Sequence, residues 1–118
     1  MNSIKFLFIV LAFLIITNIT AQEKISAAKA KDHVGETVII TDSVAQVTVT
    51  SKGMGYLNFG DRFPNHNFTA VIFKAYMDNF KDLKKFEGKK VEIKGKVELY
   101  REKPQIVLKD VEQIKIVE

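Results

Sequence analysis

The stretch that decides the fold is Gly53–Phe73, GMGYLNFGDRFPNHNFTAVIF. Two β-type runs, Tyr56–Phe59 and Asn67–Lys74, flank a loop over Gly60–Asn65 whose Gly, Asp, Pro and Asn content marks irregular chain. Along Asn67–Lys74, Phe68, Ala70 and Ile72 share one face while Thr69, Val71 and Phe73 share the other. Alternate residues of a strand point to opposite faces, so a run that is apolar on both predicts a central strand.

Towards the N-terminus, Thr37–Thr50 (TVIITDSVAQVTVT) is rich in β-branched residues, which favour a pleated, half-buried surface. At about 3.3 Å per residue it is long for one strand. Its alternation loses phase at Asp42-Ser43, which predicts a bend or bulge there. Ile25–Val34 reads as a short helix with Ser26 at its N-cap and Gly35 past its end. Towards the C-terminus, Tyr76, Phe80 and Leu83 fall at helical spacing, flanked by Met77 and Phe86, and predict an amphipathic helix over Ala75–Phe86. Val91, Ile93, Val97 and Leu99 then alternate with charged residues through Lys89–Tyr100, with Gly95 placed as at a barrel corner. Gln105–Leu108 follows the link Arg101–Pro104, and Ile114–Val117 supplies a last short pairing. Three strands, a helix and two strands is the order of the five-stranded OB barrel, a small closed sheet that takes oligonucleotides or oligosaccharides on one face. The expected fold is mainly β: that barrel, a helix between its third and fourth strands, and a short helix before it.

The N-terminus predicts the compartment. Lys5 precedes the apolar run Phe6–Ile16, and Thr17-Asn18-Ile19-Thr20 lead to the small residue Ala21. This is the layout of a secretory signal peptide, and the run is shorter than the roughly 20 residues that span a bilayer. Cleavage is expected after Ala21, giving a signal peptide over 1–21 and one domain over 22–118, exported to the periplasm or beyond. The alternative is an uncleaved anchor. The 118-residue chain has no cysteine, so disulfides and a lipidated cysteine are excluded. A single core must supply the stability.

Net charge is +4, and between Lys74 and Lys103 ten Lys or Arg stand against six Asp or Glu. A polyanion partner is one reading of that bias. An ordinary solvated face is the other, since acids lie beside the lysines, as in Lys81/Asp82 and Lys96/Glu98.

The segments HVGETVIITDSV, YLNFG, RFPNHNFTAVIF and FEGKKVEIKGKVELYREKPQIVL together resemble the tRNA-anticodon-like OB-fold domains, which occur in exported bacterial nucleic-acid-binding proteins and beside nuclease domains. The resemblance covers Ile25 to about Ile114. Its most specific parts are Leu57-Asn58-Phe59-Gly60 with Phe63-Pro64, and Val97–Tyr100 with Lys103–Ile106. It implies a barrel and nucleic-acid binding, and it implies no chemistry, since the nuclease of fused relatives is a separate domain.

Single strands are held by aromatic platforms and cations along the backbone track. The candidates are Tyr56 and Phe59 on the second strand, Arg62 and Phe63 in the next loop, and Tyr100, Arg101 and Lys103 in the last hairpin, with Lys52 at the rim. Against this, Phe59 and Phe63 also read as core or loop-packing residues, and Tyr100 as a hairpin packing residue. Neither His33 nor His66 has a cluster of the three or four ligands that zinc needs. With two arginines, Arg62 and Arg101, and Asp61 the one carboxylate beside either in the first loop, hydrolysis is not expected. No cofactor is expected. The sequence therefore predicts a non-enzymatic, exported module for single-stranded DNA or RNA, or a similar polyanion. The alternative is a periplasmic OB domain for a small ligand, a glycan or a protein partner in envelope stress or assembly. A separate secreted nuclease is a further candidate partner. If Tyr56, Arg62, Tyr100 and Arg101 share one open face, nucleic acid gains; if they scatter, the alternative does.

Overall fold

In the computed structural model, which describes residues 23–118, a single long strand organises the sheet. Residues 1–22, which carry the expected signal peptide and its cleavage point, lie outside the described residues. Strand β1 is Lys24–Ile25, β2 Thr37–Val49, β3 Gly55–Phe59 and β4 Phe68–Ile72. Strand β5 is Lys90–Lys96, β6 Glu98–Tyr100, β7 Lys103–Val107 and β8 Ile114–Ile116. Through Thr37–Ser43, β2 pairs antiparallel with β5, and through Val44–Val49 it pairs antiparallel with β3. The register slips at Ala45, because Val44 faces Phe59 while Gln46 faces Asn58. The irregularity thus lies just beyond Asp42-Ser43, where β2 changes partners. Asp42 instead ties down backbone, its carboxylate accepting the N–H of Ala27 at 3.0 Å and of Ser43 at 2.8 Å.

The hydrogen-bonded order is β6-β7-β4-β3-β2-β5-β8, with β1 added in parallel to β2. All five residues of β4 are buried between β3 and β7, as the two-sided apolar pattern requires. The path is an open sheet of eight strands, not the closed five-stranded barrel expected. The cause is local. Lys89–Tyr100, read as one strand, breaks at Val97, whose N–H goes to the Glu36 carbonyl and whose carbonyl takes the Gly35 N–H. That leaves β5 paired with β2 and β8, and β6 paired with β7.

Side chains close the seam that the ladder leaves. A Cβ on Gly95 would collide with the Ile106 side chain, so β5 lies directly against β7 there. The Gln113 side-chain amide donates to the carbonyls of Lys94 at 3.0 Å and Val107 at 3.3 Å, bridging the two strands. Gly95 therefore serves a close approach between strands. Phe59, Phe68, Leu57, Ile40, Ile72, Ile93 and Ile106 fill the interior.

Both expected α-helices are replaced by shorter 3-10 segments. Ala27–Asp32 stands for the first, and Ile25 joins β1 instead. Ser26 makes no side-chain cap bond there; Asp42 takes the first free N–H. Lys74–Asn79 and Leu83–Phe86 stand for the second, separated by an extended Phe80. Phe80, Leu83 and Phe86 are buried, whereas Tyr76 and Met77 are half-buried. A spacing of three residues matches the 3-10 repeat, so Leu83 and Phe86 face the core with one tight turn.

The second turn also covers a strand edge. Once β5 has left β2, the backbone of Val47 has no strand on that side. Glu87 accepts its N–H at 2.9 Å and the Lys84 ammonium donates to its carbonyl at 2.7 Å. The Val47 N–H, more than Lys84, holds the Glu87 carboxyl below the usual carboxylate range. Pairing the backbone groups of an edge this way removes a site for unwanted strand addition.

Candidate nucleic-acid interface

A groove of ≈ 720 Å³ runs across the outer face of β2, β3, β4, β7 and β6. Its floor is a row of polar side chains set by strand register. Gln46 faces Asn58, Asn58 faces Thr69, and Thr69 faces Gln105. Glu98 faces Gln105 in turn, at the edge of the row. Because these residues lie opposite one another, their side chains bond across the strands. The Asn58 amide donates to Gln46 Oε1 at 3.2 Å, the Thr69 hydroxyl to Asn58 Oδ1 at 2.9 Å, and the Gln105 amide to Glu98 Oε1 at 3.1 Å. Asn58 and Thr69 are buried, so this chain of bonds satisfies groups that would otherwise be costly to desolvate.

Aromatic groups stand at the rim. Phe63 is 71 % exposed and stacks on the His66 ring, centroids 5.6 Å apart and planes inclined by 27°. Tyr100 is 57 % exposed, and the Arg101 guanidinium sits over its ring at 5.3 Å. The β6–β7 turn that carries Arg101 is tight, with Arg101 and Glu102 both left-handed at φ 49° and 68°. Such a turn matches strand twist and normally takes Asn-Gly, so two long charged residues here are a local exception. Tyr56 lies in the register row next to the polar one, opposite Thr48 and Val71. A small apolar notch of ≈ 120 Å³ opens beside it, between Tyr56, Val71, Phe73 and Tyr100.

The floor also fixes the loop above it. Gln46 Oε1 accepts the Phe63 N–H at 2.8 Å. The Lys103 ammonium donates to the carbonyls of Pro64 at 2.9 Å and His66 at 3.1 Å. Burial lowers the His66 pKa, and the nearby Lys103 charge lowers it further. Its Nδ1 is buried without a hydrogen-bond partner. Neutral imidazole is the form such a position favours.

Of the residues singled out by sequence, Tyr56, Phe63, Tyr100, Arg101 and Lys103 line the groove. Phe59 does not. It is fully buried against Phe68, with centroids 5.4 Å apart, and cannot serve as a platform. Arg62 is exposed on the loop but is not among the lining residues; its charge acts on Glu87. Lys52 is exposed and also absent from the lining. Sequence reasoning missed Gln46, Asn58, Thr69 and Gln105, which become a site through pairing alone, and it weighed His66 as a metal ligand and set it aside. No group of His, Cys or acidic residues able to hold a metal occurs among the described residues.

No known protein family's sequence model matches the chain, and no curated protein matches it by sequence. Solved structures do match. The OBody AM1L10, solved bound to hen egg-white lysozyme, is 18 % identical with a TM-score of 0.53, covering 86 % of this chain and 97 % of its own. A putative aspartyl-tRNA synthetase from Leishmania major Friedlin is 14 % identical with a TM-score of 0.51, covering 86 % of this chain and 22 % of its own. The asparaginyl-tRNA synthetase of Pyrococcus horikoshii is 16 % identical with a TM-score of 0.52, covering 83 % and 24 %. The chain thus spans under a quarter of the length of either synthetase. Likenesses at such identity define the fold alone, and that fold is an OB fold.

Proposed function

We propose that this chain is an exported, non-enzymatic OB-fold module that holds single-stranded nucleic acid in the groove over β2, β3, β4, β7 and β6. One observation carries the reading: two exposed aromatic faces, Phe63 and Tyr100, stand over a continuous row of amide and hydroxyl groups with Arg101 and Lys103 beside them. Stacked bases need the former, and their edges are met by the latter. Three of the four discriminating residues, Tyr56, Tyr100 and Arg101, share the groove, which favours nucleic acid. The fold likeness to tRNA synthetases supports the same reading.

Two groove cations imply about two neutralised phosphates and a log–log salt slope near −1.4, by the single-strand factor. Four phosphates, the number the full set of sequence candidates suggests, would give a slope near −3. The test is a titration of a labelled oligonucleotide at several salt concentrations. It uses the chain from Gln22, which keeps every core residue found among the described residues, Ile25 to Ile114. Saturable binding with the shallow slope is expected; no saturable binding at low salt removes the reading.

The second reading, a glycan or protein partner in the envelope, is favoured by one feature. The floor is largely uncharged, and Lys103 is already engaged by two carbonyls. Neutral oligosaccharide that saturates the groove where oligonucleotide does not would select it.

A further inference from the structure

On the sheet formed by β1, β2, β5 and β8, a different surface faces outward, away from the groove. Alternation sends Val38, Ile40, Val91 and Ile93 into the core. The intervening positions place Lys90, Lys94 and Lys96 on the outer side of β5, opposite Ser43, Ile39 and Thr37. Lys24 of β1 and Lys115 of β8 join them, for both ion-pair with Glu92 of β5, at 2.9 and 3.4 Å. Five lysines therefore share this face with one carboxylate, which is itself only 14 % exposed. The surplus of four positive charges equals the formal net charge of the entire chain, +4. Three of these lysines belong to the basic span Lys74–Lys103, and strand pairing adds Lys24 and Lys115 from outside it.

We propose that this lysine face docks on the surface of a lipid bilayer rich in anionic phospholipid. Three features choose that occupant. First, the charges form a plane: four strands about 4.8 Å apart give some 14 Å of width, and Lys90 to Lys96 give roughly 20 Å of length. A headgroup layer presents charge in two dimensions, whereas a single strand presents a line. Second, the face carries no aromatic side chain and neither arginine, so it offers no stacking platform and no bidentate fork for phosphate. Third, Lys90, Lys94 and Lys96 make no ion pair among the described residues, which leaves their ammonium groups free for headgroups. The contact is peripheral, and the groove, in another sector of the sheet, stays open.

Sedimentation of the chain from Gln22 with vesicles tests the assignment. Binding to phosphatidylglycerol-rich vesicles and none to pure phosphatidylcholine is expected, weakening with salt. Lys94→Gln and Lys96→Gln should each weaken vesicle binding about fivefold, the typical worth of one basic residue near an anionic surface. Both lysines are exposed, and thermal melts should match those of the unmodified chain. Oligonucleotide binding in the groove should not change in either variant, while Tyr100→Ala should leave vesicle binding intact, so the two readings fail separately. Equal binding to both vesicle types, no binding to either, or lysine variants that bind as tightly as the original would overturn the proposal. So would variants that lose duplex DNA binding in a protein that ignores vesicles.

Discussion

Replacing Tyr100 or Phe63 with alanine removes a stacking surface from the groove and little from the fold. Both side chains are more than half exposed, so folding stability should move by no more than about 0.5 kcal/mol. One base stacked on an aromatic ring contributes about 1–3 kcal/mol, or roughly 5- to 150-fold in Kd. The two positions differ within that range. Tyr100 also holds the Arg101 guanidinium over its ring, so Tyr100→Ala loses the platform and loosens the cation together. A loss on the order of 30-fold is expected. Phe63 rests on His66, so Phe63→Ala uncovers a second ring that retains part of the stack, and a loss of about fivefold follows. The rings lie on different elements, so their effects should add within about 0.5 kcal/mol in the double variant. Fluorescence anisotropy with a labelled pyrimidine oligonucleotide measures the affinity, and thermal unfolding checks the fold. Phe59→Leu is the control: it should lower stability by about 1 kcal/mol from the core while leaving the groove and its Kd unchanged. If Tyr100→Ala and Phe63→Ala both bind within twofold of the original chain, the groove is not where bases stack.

Three further outcomes test the structure. Gly95→Ala drives a methyl group into Ile106 and should destabilise the domain by about 1–3 kcal/mol in urea unfolding; an unchanged midpoint would mean that β5 and β7 do not meet there. Thr69→Val removes the hydroxyl that bonds the buried Asn58 carbonyl and should cost about 1–3 kcal/mol, with a smaller loss on changing Asn58 to Leu as well. His66, with its pKa lowered in the fold, takes up its proton more readily when unfolded. The stability it contributes is present above its ordinary value of 6.5 and is lost as pH falls through the lower folded value. An NMR titration should place the His66 midpoint below 6.5, and a midpoint above that would contradict the buried setting.

The misplacement of Phe59 has a reason that the sequence already contains. Tyr56 and Phe59 are three residues apart, so in one strand they must face opposite ways, and only one can meet a ligand. The helices failed for a different reason. Tyr76, Phe80 and Leu83 satisfy a helical repeat, but the short path from β4 to β5 buries Phe80, Leu83 and Phe86 in 3-10 turns. The break at Val97 was equally hidden, since it follows from hydrogen bonds to Gly35 and Glu36, some sixty residues earlier.

Sequence alone determined the mainly β character, the approximate limits of β2, β3, β4 and β7, and the central place of β4, because alternation and turn residues act over a few neighbouring positions. Tertiary structure decided everything that depends on which strand lies beside which. Gln46, Asn58, Thr69 and Gln105 are separated in the chain by loops and strands, and register alone sets them in one row. The same holds for Lys24, Lys94 and Lys115 around Glu92. Side-chain character is local, but the neighbours that turn it into a site are chosen by long-range pairing.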